Sequence, residues 1–253
     1  MENNNEEKLD NKKEVKIKIG TIIIIGIIVA LVVVGFVVFA NISQSSKSGT
    51  TPKPINSKEP SSGSFNPDLI IEEKPIIYLY PETTTELSVK LGKPENITCS
   101  YPKYNNGWNV IANTDGTLID KNTGRKLYSL YWEGIHQEPI NLEEGFVVKR
   151  NDIIEFLEEK LAILGLNEFE AEEFIIYWVP KLQSNEYNYI RFATMEEINK
   201  DMPLEFSVEP DTIIRVLMQY KALDNYIEVN EQKLETPERT GFVAVEWGGT
   251  EIK

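Results

Sequence analysis

Residues 21–40 read TIIIIGIIVALVVVGFVVFA, 20 positions without a single charge. At about 1.5 Å per residue a helix of that length is roughly 30 Å long, the thickness of a bilayer's hydrocarbon core. The many Ile and Val residues would suit a strand. An isolated strand in lipid leaves its backbone groups unpaired, however, so the membrane forces a helix. Lys8, Lys12, Lys13, Lys16 and Lys18 precede this run, and the next base, Lys47, follows seven residues behind it. The positive-inside rule therefore places residues 1–20 as a cytoplasmic tail, 21–40 as a single transmembrane helix and the bulk of the chain outside the cell membrane. The run exceeds the apolar length of a cleaved signal peptide, and the residues before it mix both signs of charge, so an uncleaved anchor is expected.

Residues 41–67 change character. Eight of these 27 positions are Ser, four are Pro and two are Gly. So little apolar surface cannot offset the entropy of ordering the segment, and it reads as a disordered tether. Residues 68–253 form the extracytoplasmic domain, with 34 acids against 18 bases. That balance excludes nucleic acid, which selects a basic surface, and disfavours anionic lipid or an anionic wall polymer, so that cationic, neutral or metal-bridged partners are expected for the domain. One Cys and one His in the whole chain exclude an internal disulfide and a Cys/His zinc site. The pattern calls for no cofactor and no metal.

Period-two alternation broken by Gly, Pro and Asn marks antiparallel strands in the first half of this domain. Leu87, Val89 and Leu91 alternate with polar residues, as do Trp108, Val110 and Ala112, and then Tyr128, Leu130 and Trp132. Asp115-Gly116 and Asn122-Thr123-Gly124 are hairpin-turn chemistry. The middle is helical. Asp152 with Glu155 suggests a capping box ahead of the stripe Ile153, Ile154, Leu157, Leu161 and Leu164, which Gly165 ends. Asn167 with Glu170 opens a second helix with Ala171, Phe174, Ile175 and Trp178 inward, ended or kinked at Pro180. Thr194 with Glu197 suggests a short third helix. Strands return with Ile214, Val216, Met218 and Tyr220 on one face and Val243, Val245 and Trp247 on another. The expected fold is α+β, a largely antiparallel sheet with a helical hairpin packed on one side.

The phrases KPIIYLYPE (74–82), NNGWNV with DGTL (105–118), LYWEG (130–134), YNYIRF (187–192), TIIRVLMQY (212–220) and GFVAVEWGGT (241–250) resemble a family of bacterial proteins of unknown activity, secreted or anchored at the N-terminus. The resemblance spans nearly all of residues 70–251. It implies a location in the envelope and carries no catalytic residues.

Several constellations remain. Cys99 and His136 are the only thiol and imidazole, but Cys99 lies in an alternating strand, is expected to face inward, and lacks the helix start that lowers a catalytic thiol's pKa. A serine triad has no G-x-S-x-G to carry it. Glu82, Asp115, Asp120, Glu133 and Glu246 lie beside aromatics or turns, and two such carboxylates across a cleft would serve a glycan hydrolase. Glu168, Glu170, Glu172 and Glu173 fall in the first turns of a helix, where they favour its dipole. Asp120 to Gly124 mimics the opening of a calcium loop and reads as a hairpin turn. On a strand Tyr131 and Trp132 point to opposite faces, so one of them is expected outside, beside Glu133 and His136. The sequence thus favours a noncatalytic domain that binds an envelope protein, peptide or glycan through Tyr78, Tyr80, Glu82, Tyr131, Trp132, Glu133 and His136. A surface-directed hydrolase using carboxylates, or Cys99 with His136, is the alternative. A sensor role is disfavoured by so short a cytoplasmic tail.

Overall fold

The computed structural model describes residues 70–253. The expected tail, membrane helix and tether lie outside the described residues. Among the described residues no helix is long and apolar enough to cross a membrane.

Among the described residues, thirteen strands and three α-helices follow in the order β1 (Ile71–Tyr80), β2 (Thr85–Leu91), β3 (Ile97–Tyr101), β4 (Trp108–Ala112), β5 (Leu118–Asp120), β6 (Lys126–Leu127), β7 (Leu130–Ile135), β8 (Glu144–Lys149), α1 (Ile153–Ile163), α2 (Glu168–Leu182), β9 (Tyr187–Phe192), α3 (Met195–Asp201), β10 (Leu204–Phe206), β11 (Thr212–Leu223), β12 (Asn230–Glu231) and β13 (Val243–Glu251). The large sheet has eight strands in the order β12-β8-β9-β11-β13-β1-β7-β3, and a second sheet runs β10-β2-β4-β5-β6. Pairing is antiparallel except at β11–β13 and β12–β8, which are parallel. The α+β class with mostly antiparallel sheets therefore holds.

The large sheet is covered on both faces, and this the alternation did not reveal. One face carries Tyr78, Ile214, Val216, Met218, Val243, Val245 and Trp247 against Leu157, Leu161, Phe174 and Trp178 of the α1–α2 hairpin. The other presents Ile77, Leu79, Leu130, Trp132 and Ala244 to Leu87, Val89, Trp108, Val110 and Leu118 of the second sheet. Beside that second sheet, Ile198 of α3 packs on Ala193 and Leu217. Central strands buried on both sides need apolar residues at successive positions, which is why β1 and β13 read as near-continuous runs.

Local chemistry explains the element ends. Asn167 and Thr194 each make a full capping box with Glu170 and Glu197. Asp152 makes no side-chain cap; a 3₁₀ turn over Arg150–Asp152 leads into α1 instead. Ile154 of the expected apolar stripe is exposed. Gly165 ends α1 with φ of 86°, in the left-handed region that glycine tolerates. Pro180 lies inside α2, which continues to Leu182. Gly248 and Gly249 of β13 let Pro75 and the Trp178 ring approach the strand; a Cβ at Gly249 would sit 2.7 Å from Trp178 Cζ2.

Candidate functional site

The seven residues proposed from sequence do not form one patch. Tyr78 is buried under the helical hairpin, where its hydroxyl donates to Glu173 and accepts from Trp247 Nε1 at 3.2 Å. Burial, then the Glu173 carboxylate, raises its phenol well above the ordinary range. Tyr80 is half-buried and stacks on Tyr78, with the Arg239 guanidinium 5.6 Å from its ring. Glu82 is exposed beyond the end of β1. Trp132 is 2% exposed and faces the second sheet, which corrects the expectation of a contact residue. Its indole N–H donates to Glu246 Oε1 at 2.9 Å.

Tyr131 points to the opposite face and lies half-buried at the rim of the helical core. Burial, then the Glu133 carboxylate and the Cys99 thiol, raises its phenol. Cys99 itself is exposed, contrary to expectation, because β3 is an edge strand whose alternate residues meet no covering layer. It pairs in register with Glu133. His136 belongs to the other face, where its ring meets α3, so the sheet separates the thiol from the imidazole. The thiol-catalysis alternative loses its base.

Tyr131 does line an open groove of about 380 Å³, with Lys74, Ile76, Tyr101, Lys126, Leu127, Tyr128 and Ser129. Tyr101 is 51% and Tyr128 52% exposed. Lys74 has φ of 62°, a conformation uncommon outside glycine, at the irregularity that interrupts β1 pairing between Glu73 and Ile76. This bend sets its ammonium 5.7 Å from the Tyr131 ring and 5.6 Å from the Tyr177 ring. The groove thus joins aromatic faces to two cations in a strongly acidic domain, which suits a ligand with flat apolar faces and a negative group. Sequence reasoning missed Tyr101, Tyr128, Lys74 and Lys126. Strand ends and an edge position leave no periodic signal.

A second constellation is buried between the large sheet and α3. Arg215 of β11 and Glu246 of β13 are opposite one another in register. Arg215 Nε donates to Glu246 Oε2 at 2.7 Å, and its Nη1 donates to Asn199 Oδ1 at 2.8 Å. Arg191 reaches Gln219 at 2.6 Å and both oxygens of Glu197. At the end of this seam His136 Nδ1 lies 2.7 Å from Glu72 Oε1 and 3.1 Å from Asp201 Oδ2. Asp201 Oδ1 accepts from the backbone N–H groups of Gln137, at 2.8 Å, and Glu138, at 3.2 Å. Glu197, Asn199 and Asp201 thereby pin α3, a helix too short to persist by itself, to three separate strands or strand ends.

Electrostatics follow from this geometry. Burial pushes the Glu72 carboxyl up to about 7, against the lowering influence of His136. Burial alone would lower His136, but Asp201 and Glu72 outweigh it and raise the imidazole to about 10. Burial pulls Asp201 upward as well, yet His136 and the two backbone donors hold it below the usual carboxylate range. The three side chains bring donor atoms of metal-ligating type within 4.8 Å of one another. Of them only His136 was singled out from sequence. Glu72 and Asp201 stand 64 and 65 positions away from it, and no spacing rule links them.

Of the other carboxylates weighed, Asp115 caps the Thr117 turn and Asp120 folds back on Asn122 and Thr123, as turn residues do. Glu246 is held by Arg215 and Trp132. Comparison with protein-family models, with curated proteins and with solved structures finds no match.

Proposed function

We propose that this is a noncatalytic binding domain, held outside the cell by the apolar run at residues 21–40, which takes an envelope glycan or peptide segment carrying a carboxylate. The observation behind this reading is the groove lined by Tyr101, Tyr128 and Tyr131, in which two half-exposed rings accompany a Lys74 ammonium 5.7 Å from the Tyr131 ring. Tyrosine rings offer large contact area at low entropic cost, and their faces stack on sugar or peptide planes. Lys74 and Lys126 line the groove and give it a local positive charge for the ligand's carboxylate, against the acidic balance of the domain as a whole. The resemblance to anchored or secreted bacterial proteins agrees with this placement.

Hydrolysis is the weaker reading on a geometric ground. Glu72 is the acid that burial raises toward neutrality, as a general acid requires. The cavity beside its partners His136 and Asp201 measures about 10 Å³, room for one water and not for a sugar ring.

The test uses the full-length protein in detergent, titrated calorimetrically with soluble fragments of envelope glycan and, separately, with acidic peptides. Tyr128→Ala and Lys74→Ala are each expected to weaken binding about tenfold, the equivalent of ~1.4 kcal/mol. Tyr128→Ala should leave the unfolding midpoint unchanged. Binding that survives both substitutions removes the groove from the account.

A further inference from the structure

We propose that Glu72, His136 and Asp201 form a binding site for one divalent transition-metal ion of the Zn²⁺ type, which clips the start of the domain to α3. The site shares no residue with the tyrosine groove.

Convergence is the first ground. One imidazole nitrogen and two carboxylate oxygens, from the segment after β7, from β1 and from α3, lie within 4.8 Å of one another, with 2.7 and 3.1 Å between Nδ1 and the two oxygens. Ligands on a tetrahedral zinc ion, at bond lengths of about 2.0–2.1 Å, stand roughly 3.3 Å apart. A small outward movement of the carboxylates admits the ion in place of the proton on Nδ1.

Charge is the second. Glu72 is 1% exposed and Asp201 3%. With His136 protonated, two carboxylates share one positive charge, and the next carboxylate along the seam, Glu246, already has Arg215. A buried negative charge left without a partner is costly. A dication with neutral His136 balances the charge of the two carboxylates.

Unused donors are the third. Glu72 Oε2 and His136 Nε2 are buried without a hydrogen-bond partner. Neither atom has a protein hydrogen bond to give up if the side chains turn toward an ion. Asp201 Oδ1, fixed by the Gln137 and Glu138 N–H groups, orients Oδ2 toward the centre as outer partners of metal ligands do. A set of one nitrogen and carboxylates suits Zn²⁺, with Mn²⁺ next; Ca²⁺ takes six to eight oxygens and does not match.

His136 is the only histidine in the chain, so one spectroscopic probe reads it alone. Full-length protein with ¹⁵N-labelled histidine, purified without a histidine tag and stripped with chelator, is titrated with ZnCl₂. The expected result is one Zn²⁺ per chain, with Nδ1 passing from a protonated to a metal-bound shift while Nε2 keeps its proton. Competition titration should show Glu72→Gln weakening Zn²⁺ at least tenfold. The wild-type shift needs no variant, so a misfolded substitution does not hide the answer. If Nδ1 remains protonated at saturating Zn²⁺ and at saturating Mn²⁺, or if Glu72→Gln binds as the wild type does, the site is refuted and the cluster is an ionic one held by a proton.

Discussion

Arg215→Met tests the buried seam most directly. Its side chain and that of Glu246 are almost wholly shielded, at 1% and 3% exposure. Removing the guanidinium leaves the Glu246 carboxylate with the Trp132 N–H as its remaining strong donor, and leaves Asn199 of α3 without its strand partner. Breaking a buried ion pair from one side costs about 3–5 kcal/mol, since the surviving charge stays in a low-dielectric setting. For a domain of this size that corresponds to roughly 6–20 °C in Tm. Arg215→Met combined with Glu246→Leu removes both charges and the stranded one with them. The double variant should therefore be more stable than Arg215→Met alone, short of wild type by about 1–3 kcal/mol for the orphaned Trp132 N–H. Urea unfolding of the full-length protein, followed by tryptophan fluorescence, measures all three. The reasoning fails if Arg215→Met costs less than about 1 kcal/mol, or if the double variant is less stable than the single one.

Glu197 gives the acid side of the stability profile. Burial pulls its carboxyl up, but the Arg191 guanidinium and the Thr194 cap hold it below its ordinary value of 4.5. Its contribution is thus complete above about that pH and is lost as pH falls through the depressed folded value, so Glu197→Gln should show a shallower loss of Tm between roughly pH 5 and 3 than the wild type. Gly165→Ala forces a side chain onto a φ of 86° and brings a Cβ within 2.6 Å of Pro237 Cγ. It should cost about 1–2 kcal/mol in urea unfolding, and an unchanged midpoint would contradict the strained helix end. Trp178→Ala empties a fully buried site between Phe174, Tyr177 and Tyr220. A loss of about 3–5 kcal/mol is expected, and a loss under 1 would mean that the hairpin does not seat on the sheet as described.

The capping boxes at Asn167 and Thr194, the turns at Asp115 and Asp120, and the shared face of Ile214, Val216, Met218 and Tyr220 were legible in sequence, since each is set by residues within a few positions. The same parity correctly divided Tyr131 from Trp132. It was silent on which of the two would meet a covering layer, and the second sheet took Trp132. Cys99 alternates as an interior residue would, yet it lies on an edge strand that nothing covers at that point. The groove of Tyr101, Tyr128 and Tyr131 is assembled from strand ends, where periodicity stops carrying information.

Local periodicity, caps and the uncharged run at residues 21–40 therefore determined the kinds of element, their polarity and the expectation of an anchor, because propensity and amphipathicity act over one or two turns of chain. Tertiary structure alone decided which faces are dry. Burial depends on what another, distant segment lays over a strand, and so it also decided that Glu72, His136 and Asp201 meet at one point while Cys99 and His136 end on opposite sides of the same sheet.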